Sequence, residues 1–124
     1  METTDNFSIN VIGESTGNPY VGDFTVKTVL TRRDAFVADS RRREILGPNP
    51  EGALPQLQVE AFMHGQLFVR ITKAPAWWTN AANGIDLADL NVVSSVYEAA
   101  KNKEDDRIKK IKEGAKEALE QIAK

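Results

Sequence analysis

The chain contains no cysteine and a single histidine, His64, among its 124 residues. Without cysteine it cannot form a disulfide framework, a thiolate zinc site or a cysteine nucleophile, and such a composition suits a reducing cytoplasm. No apolar run reaches the roughly 18 residues of a transmembrane helix. The opening sequence METTDNFSIN also lacks the basic and apolar regions of a secretory signal. We therefore expect neither a membrane span nor a secretory signal.

Neither sign of charge dominates, because 16 basic and 18 acidic residues give a net charge of −2. This balance does not favour binding to nucleic acid or to an anionic membrane. Five arginines are nevertheless crowded together, with acidic residues among them: Arg32, Arg33, Arg41, Arg42 and Arg43. They can form a solvated helix face, contact an acidic protein partner, or grip phosphate or RNA. The interspersed acids and the lack of an aromatic stacking platform make nucleic acid the weakest of these interpretations.

Residues with catalytic chemistry are few and poorly grouped. His64 has no second histidine or cysteine to work with, so we favour a half-buried or exposed helix residue over a base or metal ligand. Asp86 and Asp89 are spaced to share a helix face, but they lie where a helix begins, so we favour capping over acid–base or metal chemistry. The glycines of segment 13–22 do not lead from a strand into a helix, which argues against a phosphate-binding loop. We predict no catalytic residues, no metal site and no cofactor.

Alternating apolar and polar residues near the N-terminus predict a β-hairpin. The apolar members of this period-two pattern are Phe7, Ile9, Val11, Phe24 and Val26. The intervening segment 13–22 is rich in turn residues. We predict strands over 7–12 and 23–30, joined by this long loop and preceded by flexible residues 1–6. A lone hairpin is marginal in water, so it must pack on helices or on the sheet of another chain.

Three segments carry the three–four spacing of apolar residues that is typical of an amphipathic helix. The first is predicted over 32–46, where Thr31 is the N-cap and Asp34 completes a near capping box. The second is predicted over 55–73 and the third over 87–100.

A further apolar stripe follows a polar interruption in the C-terminal quarter. Residues 101–107 are either a helical continuation through solvent or a flexible joint. The three–four spacing then resumes for about two heptads, which is too short to predict a coiled coil. Its members include Ile108, Ile111, Leu119 and Ile122. The segment is either a solvated helix or an assembly helix that docks in the groove of a partner, and these four residues are then the partner-binding ones.

Together the elements predict an α+β fold, with an N-terminal β-hairpin followed by three to four helices, the last one extended. The length is that of one domain. We assign residues 1–100 to this domain and 101–124 to a C-terminal helical extension. Because the hairpin and the last helix carry apolar stripes that a small core does not cover, we also predict a homo-oligomer.

Both tryptophans of the chain, Trp77 and Trp78, lie at one junction between predicted helices. Adjacent residues cannot both point the same way, so at most one is expected to be fully buried. The other then covers an edge of the core or contacts a partner, because tryptophan is favoured where an apolar surface meets a polar rim.

Several segments within residues 22–100 resemble the small tail assembly chaperones of tailed bacteriophages, which are encoded beside the tape-measure gene. The resemblance rests on GDFTVKTVLTRRDAF, DSRRREILG, LFVRITKAPAWW, NGIDLADLNVV and VYEAA. Its most specific part is the AP-x-WW element followed by G-x-D-x-x-D-x-N-V. Trp77, Trp78 and Arg70 match the family pattern, and we include them among the predicted partner-binding residues.

The resemblance implies a protein that is not an enzyme. Such chaperones bind the long, helical, apolar tape-measure protein and keep it soluble while tail-tube subunits polymerise around it. They act in the host cytoplasm and are generally absent from the finished particle. An alternative is a structural virion protein, such as a neck, connector or minor tail component, that assembles through its β-hairpin and C-terminal helix. A third is a small enzyme or nucleic-acid binder that uses His64 or the arginine-bearing helix.

Overall fold

The computed structural model describes residues 3–123 and places a hairpin first, then two helices, a short third strand and two further helices. The strands are β1 (Thr4–Ile12), β2 (Pro19–Lys27) and β3 (Ile71–Lys73), and the helices are α1 (Arg32–Leu46), α2 (Pro55–Arg70), α3 (Ala76–Thr79) and α4 (Leu90–Ala123). A single 3-10 turn, Pro50–Gly52, lies between α1 and α2. The predicted α+β fold, with an N-terminal hairpin and an extended last helix, is confirmed.

Strand β1 begins within the segment that was predicted to be flexible. The antiparallel register places Thr4 opposite Lys27 and Phe7 opposite Phe24. On the outer face, the hydroxyl of Thr25 donates to the side-chain carbonyl of Asn6 at 2.7 Å. The pairing of β1 with β2 therefore continues through polar residues as far as Thr4, although the alternation of apolar residues begins only at Phe7. Residues 1–2 lie outside the described residues.

The hairpin loop is shorter than predicted, because it spans 13–18 and β2 covers Pro19–Lys27 instead of 23–30. The amide of Gly13 donates to the carbonyl of Asn18 at 2.8 Å, and Gly17 closes the turn with a φ of +75°. Glycine adopts this left-handed conformation without steric cost.

Residues 71–73 form β3 rather than the end of the predicted helix 55–73. This short strand pairs antiparallel with β2, and the hydroxyl of Thr72 donates to the carbonyl of Thr25 at 3.2 Å. The β-branched residues Ile71 and Thr72 suit a strand. The sheet therefore has three strands in the order β1-β2-β3.

Helix α1 has the bounds 32–46 that the sequence predicts. The amide of Asp34 donates to the hydroxyl of Thr31 at 3.1 Å, and the Asp34 carboxylate accepts from the Thr31 amide at 3.0 Å. This capping box fixes the start of the helix. Helix α1 packs chiefly on α2, and the two approach so closely that a Cβ on Gly65 would collide with the carbonyl of Ala38.

One face of the sheet packs on α3 and on the first half of α4 to form the core. Its buried members are Ile9, Phe24, Val26, Leu67, Trp78, Val93, Val96 and Ala100. Helix α4 starts at Leu90 instead of residue 87, and its first turn is closed by the hydrogen bond from the Val92 amide to the Asp89 carbonyl. The preceding turn has positive φ at Ala82, Asn83 and Gly84. Residues 101–107 continue the same helix, so the alternative of a flexible joint is wrong. Over residues 3–123, no helix is both long enough and apolar enough to cross a membrane.

Candidate protein-interaction surface

The tandem tryptophans divide their roles as the sequence predicts. Trp78 is only 1% exposed, and its ring meets Phe24 edge-on at a centroid distance of 5.6 Å. A Cβ on Gly84 would lie 2.6 Å from the Trp78 ring, so a glycine at this turn lets the indole fit. Trp77 is half-buried against the core, and its indole nitrogen donates to the carbonyl of Val21 at 3.0 Å. In this chain Trp78 presents no surface to a partner, whereas Trp77 retains an exposed part.

Arg70 also lies inside the fold, at 4% exposure. Its Nε and Nη2 donate to Oε2 of Glu104 at 3.1 and 2.9 Å, and Nη1 donates to the side chain of Gln66. Burial raises the pKa of Glu104, but the hydrogen bonds and charges of Arg70 and Lys101 outweigh it, so the pKa lies below its ordinary value of 4.5. Arg70 therefore ties α2 to α4 and does not present its charge to a partner in this chain.

Asp89 lies immediately before α4 and is completely buried, at 0% exposure. Its carboxylate accepts hydrogen bonds from the amides of Ser15 and Thr16 at 2.7 and 3.0 Å, the hydroxyl of Thr16 at 2.6 Å and the hydroxyl of Tyr20 at 2.8 Å. Hydrogen bonding by Thr16 lowers the pKa most, burial opposes it, and Tyr20 and Ser15 lower it further, to about 2. A Cβ on Gly13 would collide with this carboxylate.

This arrangement corrects the capping role predicted for Asp89. The position is right, because the amide of Val92 donates to the backbone carbonyl of Asp89 at 3.0 Å. The carboxylate, however, binds the β1–β2 loop rather than the end of the helix. Asn91 reinforces the contact, since it accepts from the amide of Glu14 at 3.0 Å and donates to the carbonyl of Ile12 at 2.9 Å. The loop and the start of α4 are thus held as one unit.

The other candidate residues do not assemble into a reaction centre. His64 is half-buried, as predicted, and burial followed by the charge of Arg41 lowers its pKa below 6.5. Asp86 is exposed, while Asp89 is buried beneath the loop. Within residues 3–123, no group of three histidine, aspartate or glutamate side chains is placed to hold a metal ion.

Arg41, Arg42 and Arg43, three of the five arginines of α1, contact neighbouring side chains of the same chain. Arg42 and Arg43 each form an ion pair with Asp39 at 3.0 Å, and Arg41 lies over the ring of Phe68 at 5.1 Å. The basic cluster therefore has the geometry of a solvated helix face.

The second half of α4 extends beyond the core. The last deep contact is Glu104 with Arg70, and all of residues 108–123 are exposed. At a rise of about 1.5 Å per residue, this segment is roughly 24 Å long. Its apolar side chains share one side of the helix and consist of Ile108, Ile111, Ala115, Ala118, Leu119 and Ile122, which we call the α4 stripe. Exposure is 40% at Ile108 and 38% at Ile111 and rises to 81% at Ile122, so the end of the stripe is the part that the domain does not cover.

Further exposed apolar residues lie on two sides of the α1–α2 pair and were not predicted as surfaces: Val59 and Phe62 line one side with Arg42, and Val37 and Phe68 line the other with Arg41. Phe36 is 69% exposed, and Val37, Val59, Phe62 and Phe68 are exposed as well. The sparse apolar content of α1 was the sequence feature that could have predicted this exposure. A helix with few apolar residues buries only a narrow side, and in α1 the buried residue is Ala38.

Comparison with protein-family models, with curated proteins and with solved structures finds no match to this chain.

Proposed function

We propose that this chain is a non-enzymatic tail assembly chaperone of a tailed bacteriophage and that it binds the tape-measure protein in the host cytoplasm. The observation that carries the proposal is the α4 stripe, an apolar surface on a helix that continues past the core. A long helical client offers the kind of surface on which such a helix docks. The sequence resemblance over 22–100 supplies the identity of the client.

The internal polar groups support this interpretation over catalysis. Asp89 and Glu104 have perturbed pKa values, which is often a sign of an active site. Here each carboxylate is engaged by groups that hold two elements of the fold together. These contacts within the fold explain the shifted pKa values. The exposed apolar surfaces are the features that the fold itself does not explain.

The test is a pull-down of the tagged chain expressed together with the phage tail genes, with the bound proteins identified by mass spectrometry. We expect the tape-measure protein to be recovered and to remain soluble. A chain carrying Ile111→Ser and Ile122→Ser should lose it, because both substitutions remove apolar surface from the α4 stripe without touching the core. A control chain with Val21→Ser, on the exposed outer face of the sheet, should retain it. If the wild-type chain recovers no tape-measure protein, the proposal fails.

A second candidate is a structural virion protein, such as a neck, connector or minor tail component. The open edge of β1 favours it, because β1 pairs with β2 on one side only among residues 3–123. Such an edge can add to the sheet of a neighbour, and we place the expected self-association into a homo-oligomer there. Mass spectrometry of finished particles separates the candidates, because a structural protein is present in many copies and a chaperone is depleted.

A further inference from the structure

The open edge of β1 carries backbone groups that the hairpin does not use. At one end of the hairpin the Thr28 amide donates to the Thr3 carbonyl at 2.8 Å. At the other end the Gly13 amide donates to the Asn18 carbonyl, also at 2.8 Å. Because the register between these ends is continuous and an antiparallel ladder alternates, the odd-numbered residues of β1 face β2. The amides and carbonyls of the even-numbered residues therefore point away from β2, towards the open edge.

Two of these outward groups are already bonded within the chain. The Asn6 amide donates to the Asp5 carboxylate at 2.8 Å, and the Ile12 carbonyl accepts from the side chain of Asn91 at 2.9 Å. Within residues 3–123, the outward groups from Asn6 to Ile12 that remain unpaired are the carbonyl of Asn6, the amide and carbonyl of Ser8, the amide and carbonyl of Asn10, and the amide of Ile12.

The unpaired groups complement one another around a twofold axis. When the axis passes beside Ile9, Ser8 lies opposite Asn10 of a second copy, and each such pair exchanges both backbone hydrogen bonds. The same register sets Asn6 opposite Ile12, where the unpaired carbonyl of Asn6 accepts from the unpaired amide of Ile12. One self-complementary register therefore satisfies every unpaired outward group between these two residues.

Neighbouring registers leave polar groups without partners. In the register about Ile9, the Asn6 amide and the Ile12 carbonyl lie opposite each other, and both are already bonded within their own chain. A shift by two residues in one direction sets the unpaired carbonyl of Asn10 against the bonded amide of Asn6. A shift in the other direction sets the unpaired amide of Ser8 against the bonded carbonyl of Ile12. The register about Ile9 is therefore favoured by backbone hydrogen bonding.

The side chains of the same register also match. Phe7 and Val11 point to the core side of the sheet yet are only half-buried, so the helices do not cover this face completely at the edge. In the register about Ile9, Phe7 lies opposite Val11 of the other copy, and the two Ile9 side chains meet at the axis. Apolar cross-strand pairs of this kind stabilise a sheet. Asp5, the charged residue of β1, lies opposite Gly13, so no like charges meet.

The middle of the edge has none of the usual protection against pairing. Natural proteins block exposed edges with lysine, proline, bulges or inward-pointing charges. Strand β1 has the charge of Asp5 near one end, but residues 6–12 contain neither a charged residue nor a proline, and their register has no bulge.

We propose that two copies of this chain pair through β1, antiparallel and about a twofold axis at Ile9, and so join their three-stranded sheets into one. Such an interface is closed, because each copy uses the same edge and leaves none for a third. The inference goes beyond the proposed function, since the chaperone rests on the α4 stripe and the dimer rests on the β1 edge.

The first experiment tests the register by cross-linking the full-length chain. The chain has no cysteine, so a single introduced thiol gives no background. Ile9→Cys places two thiols across the axis, in a cross-strand pair whose Cβ atoms lie about 4.5 Å apart, within reach of a disulfide. The matched control Val11→Cys, on the same face, lies opposite Phe7 and has no thiol partner. Under mild oxidation Ile9→Cys should form a covalent dimer, and Val11→Cys should stay monomeric.

The second experiment measures the dimer without altering the core. Sedimentation of the wild-type chain at increasing concentration should show a reversible dimer. Ser8→Lys combined with Asn10→Lys sets like charges opposite each other at both symmetric pairs and should raise the Kd about tenfold. The matched control, Ser8→Lys combined with Asn10→Glu at the same exposed positions, sets opposite charges across the interface and should keep the dimer. Circular dichroism checks that each variant keeps its fold.

Four results would overturn the inference. The first is a wild-type chain that is monomeric at every concentration, and the second is equal cross-linking of Ile9→Cys and Val11→Cys. The third is a dimer that the two lysines do not weaken. The fourth is a dimer that Ile111→Ser and Ile122→Ser abolish, since the interface would then be the α4 stripe.

The proposed function can fail separately. A dimer with the expected register and no recovery of the tape-measure protein would uphold the inference and refute the chaperone. Recovery of the tape-measure protein by a wild-type chain that is monomeric would uphold the chaperone and refute the inference.

Discussion

The ion pair between Arg70 and Glu104 yields a quantitative prediction for the substitution Glu104→Leu. The guanidinium is 4% exposed and donates two hydrogen bonds to one carboxylate oxygen, at 3.1 and 2.9 Å. Removing the carboxylate leaves a buried cation with only Gln66 as a partner. Breaking a buried pair in this way costs about 3 kcal/mol of unfolding free energy, which corresponds to a fall in Tm of roughly 10 °C for a domain of this size.

The assay is urea unfolding followed by far-UV circular dichroism on four chains: wild type, Glu104→Leu, Arg70→Met and the double variant. Replacing both partners with apolar residues removes the unpaired charge, so the double variant should be more stable than either single one. The control Glu117→Leu, exposed on the same helix, should change the free energy of unfolding by less than about 0.5 kcal/mol. A Glu104→Leu chain as stable as wild type, or a double variant that loses the sum of both single effects, would refute the reasoning.

The pair also predicts a pH dependence. The pKa of Glu104 is depressed below 4.5, so its contribution is fully present above that pH and is lost as the pH falls through the folded-state pKa. The decline in stability below pH 4.5 should therefore be shallower in Glu104→Leu than in wild type. Equal declines would assign the acid sensitivity to other carboxylates.

Three further predictions concern positions elsewhere in the fold. Asp89→Asn should lower the Tm by several degrees, whereas the control Asp86→Asn, at an exposed site, should leave the Tm unchanged. Because the pKa of Asp89 is depressed to about 2, wild-type stability should fall as the pH drops from 3.8 towards 2. Equal Tm values for Asp89→Asn and wild type would contradict the buried role of Asp89. Gly65→Ala should lower the free energy of unfolding by about 1–3 kcal/mol, because the added methyl group crowds α1 against α2. Gly114→Ala, in open space, should raise it by about 0.5–1 kcal/mol in the same thermal melts. A change of the same sign at both positions would be inconsistent with this packing. Trp78→Ala should cost about 3–5 kcal/mol in urea unfolding, and a cost below about 1 kcal/mol would place the indole outside the core.

Local signals predicted the elements that depend on neighbouring residues. The bounds of α1 follow from Thr31 and Asp34, whose capping box needs no distant contact. Strand β3 was missed because three residues carry no measurable periodicity. The strand forms because the end of α2 places Ile71 beside Val26 of β2, and this contact depends on the tertiary structure.

The same distinction applies to the candidate surface. The spacing of Ile108, Ile111, Leu119 and Ile122 predicted an amphipathic helix, and that helix is present. The spacing alone does not show whether this helix packs on the domain, because that depends on where the core ends along α4. The partners of Asp89 were missed because Ser15 and Thr16 lie 74 and 73 residues away in the chain. Hydrogen bonds over such separations leave no pattern in a single sequence.

The three attachments of α4 explain how an exposed segment can serve as a binding element. Asn91 fixes the start of the helix to the hairpin, Val96 packs in the core, and Glu104 holds the helix to Arg70. An isolated helix as short as residues 108–123 is marginal in water, but here it propagates from a turn that is already formed, so the costly nucleation step is avoided. A stripe ordered before binding loses less conformational entropy when a client docks. Glu104→Leu should therefore lower the helicity of residues 108–123 as well as the global stability. Amide hydrogen exchange in this segment measures the change. Unchanged protection of its amides would mean that residues 108–123 stay helical without the contact between Glu104 and Arg70.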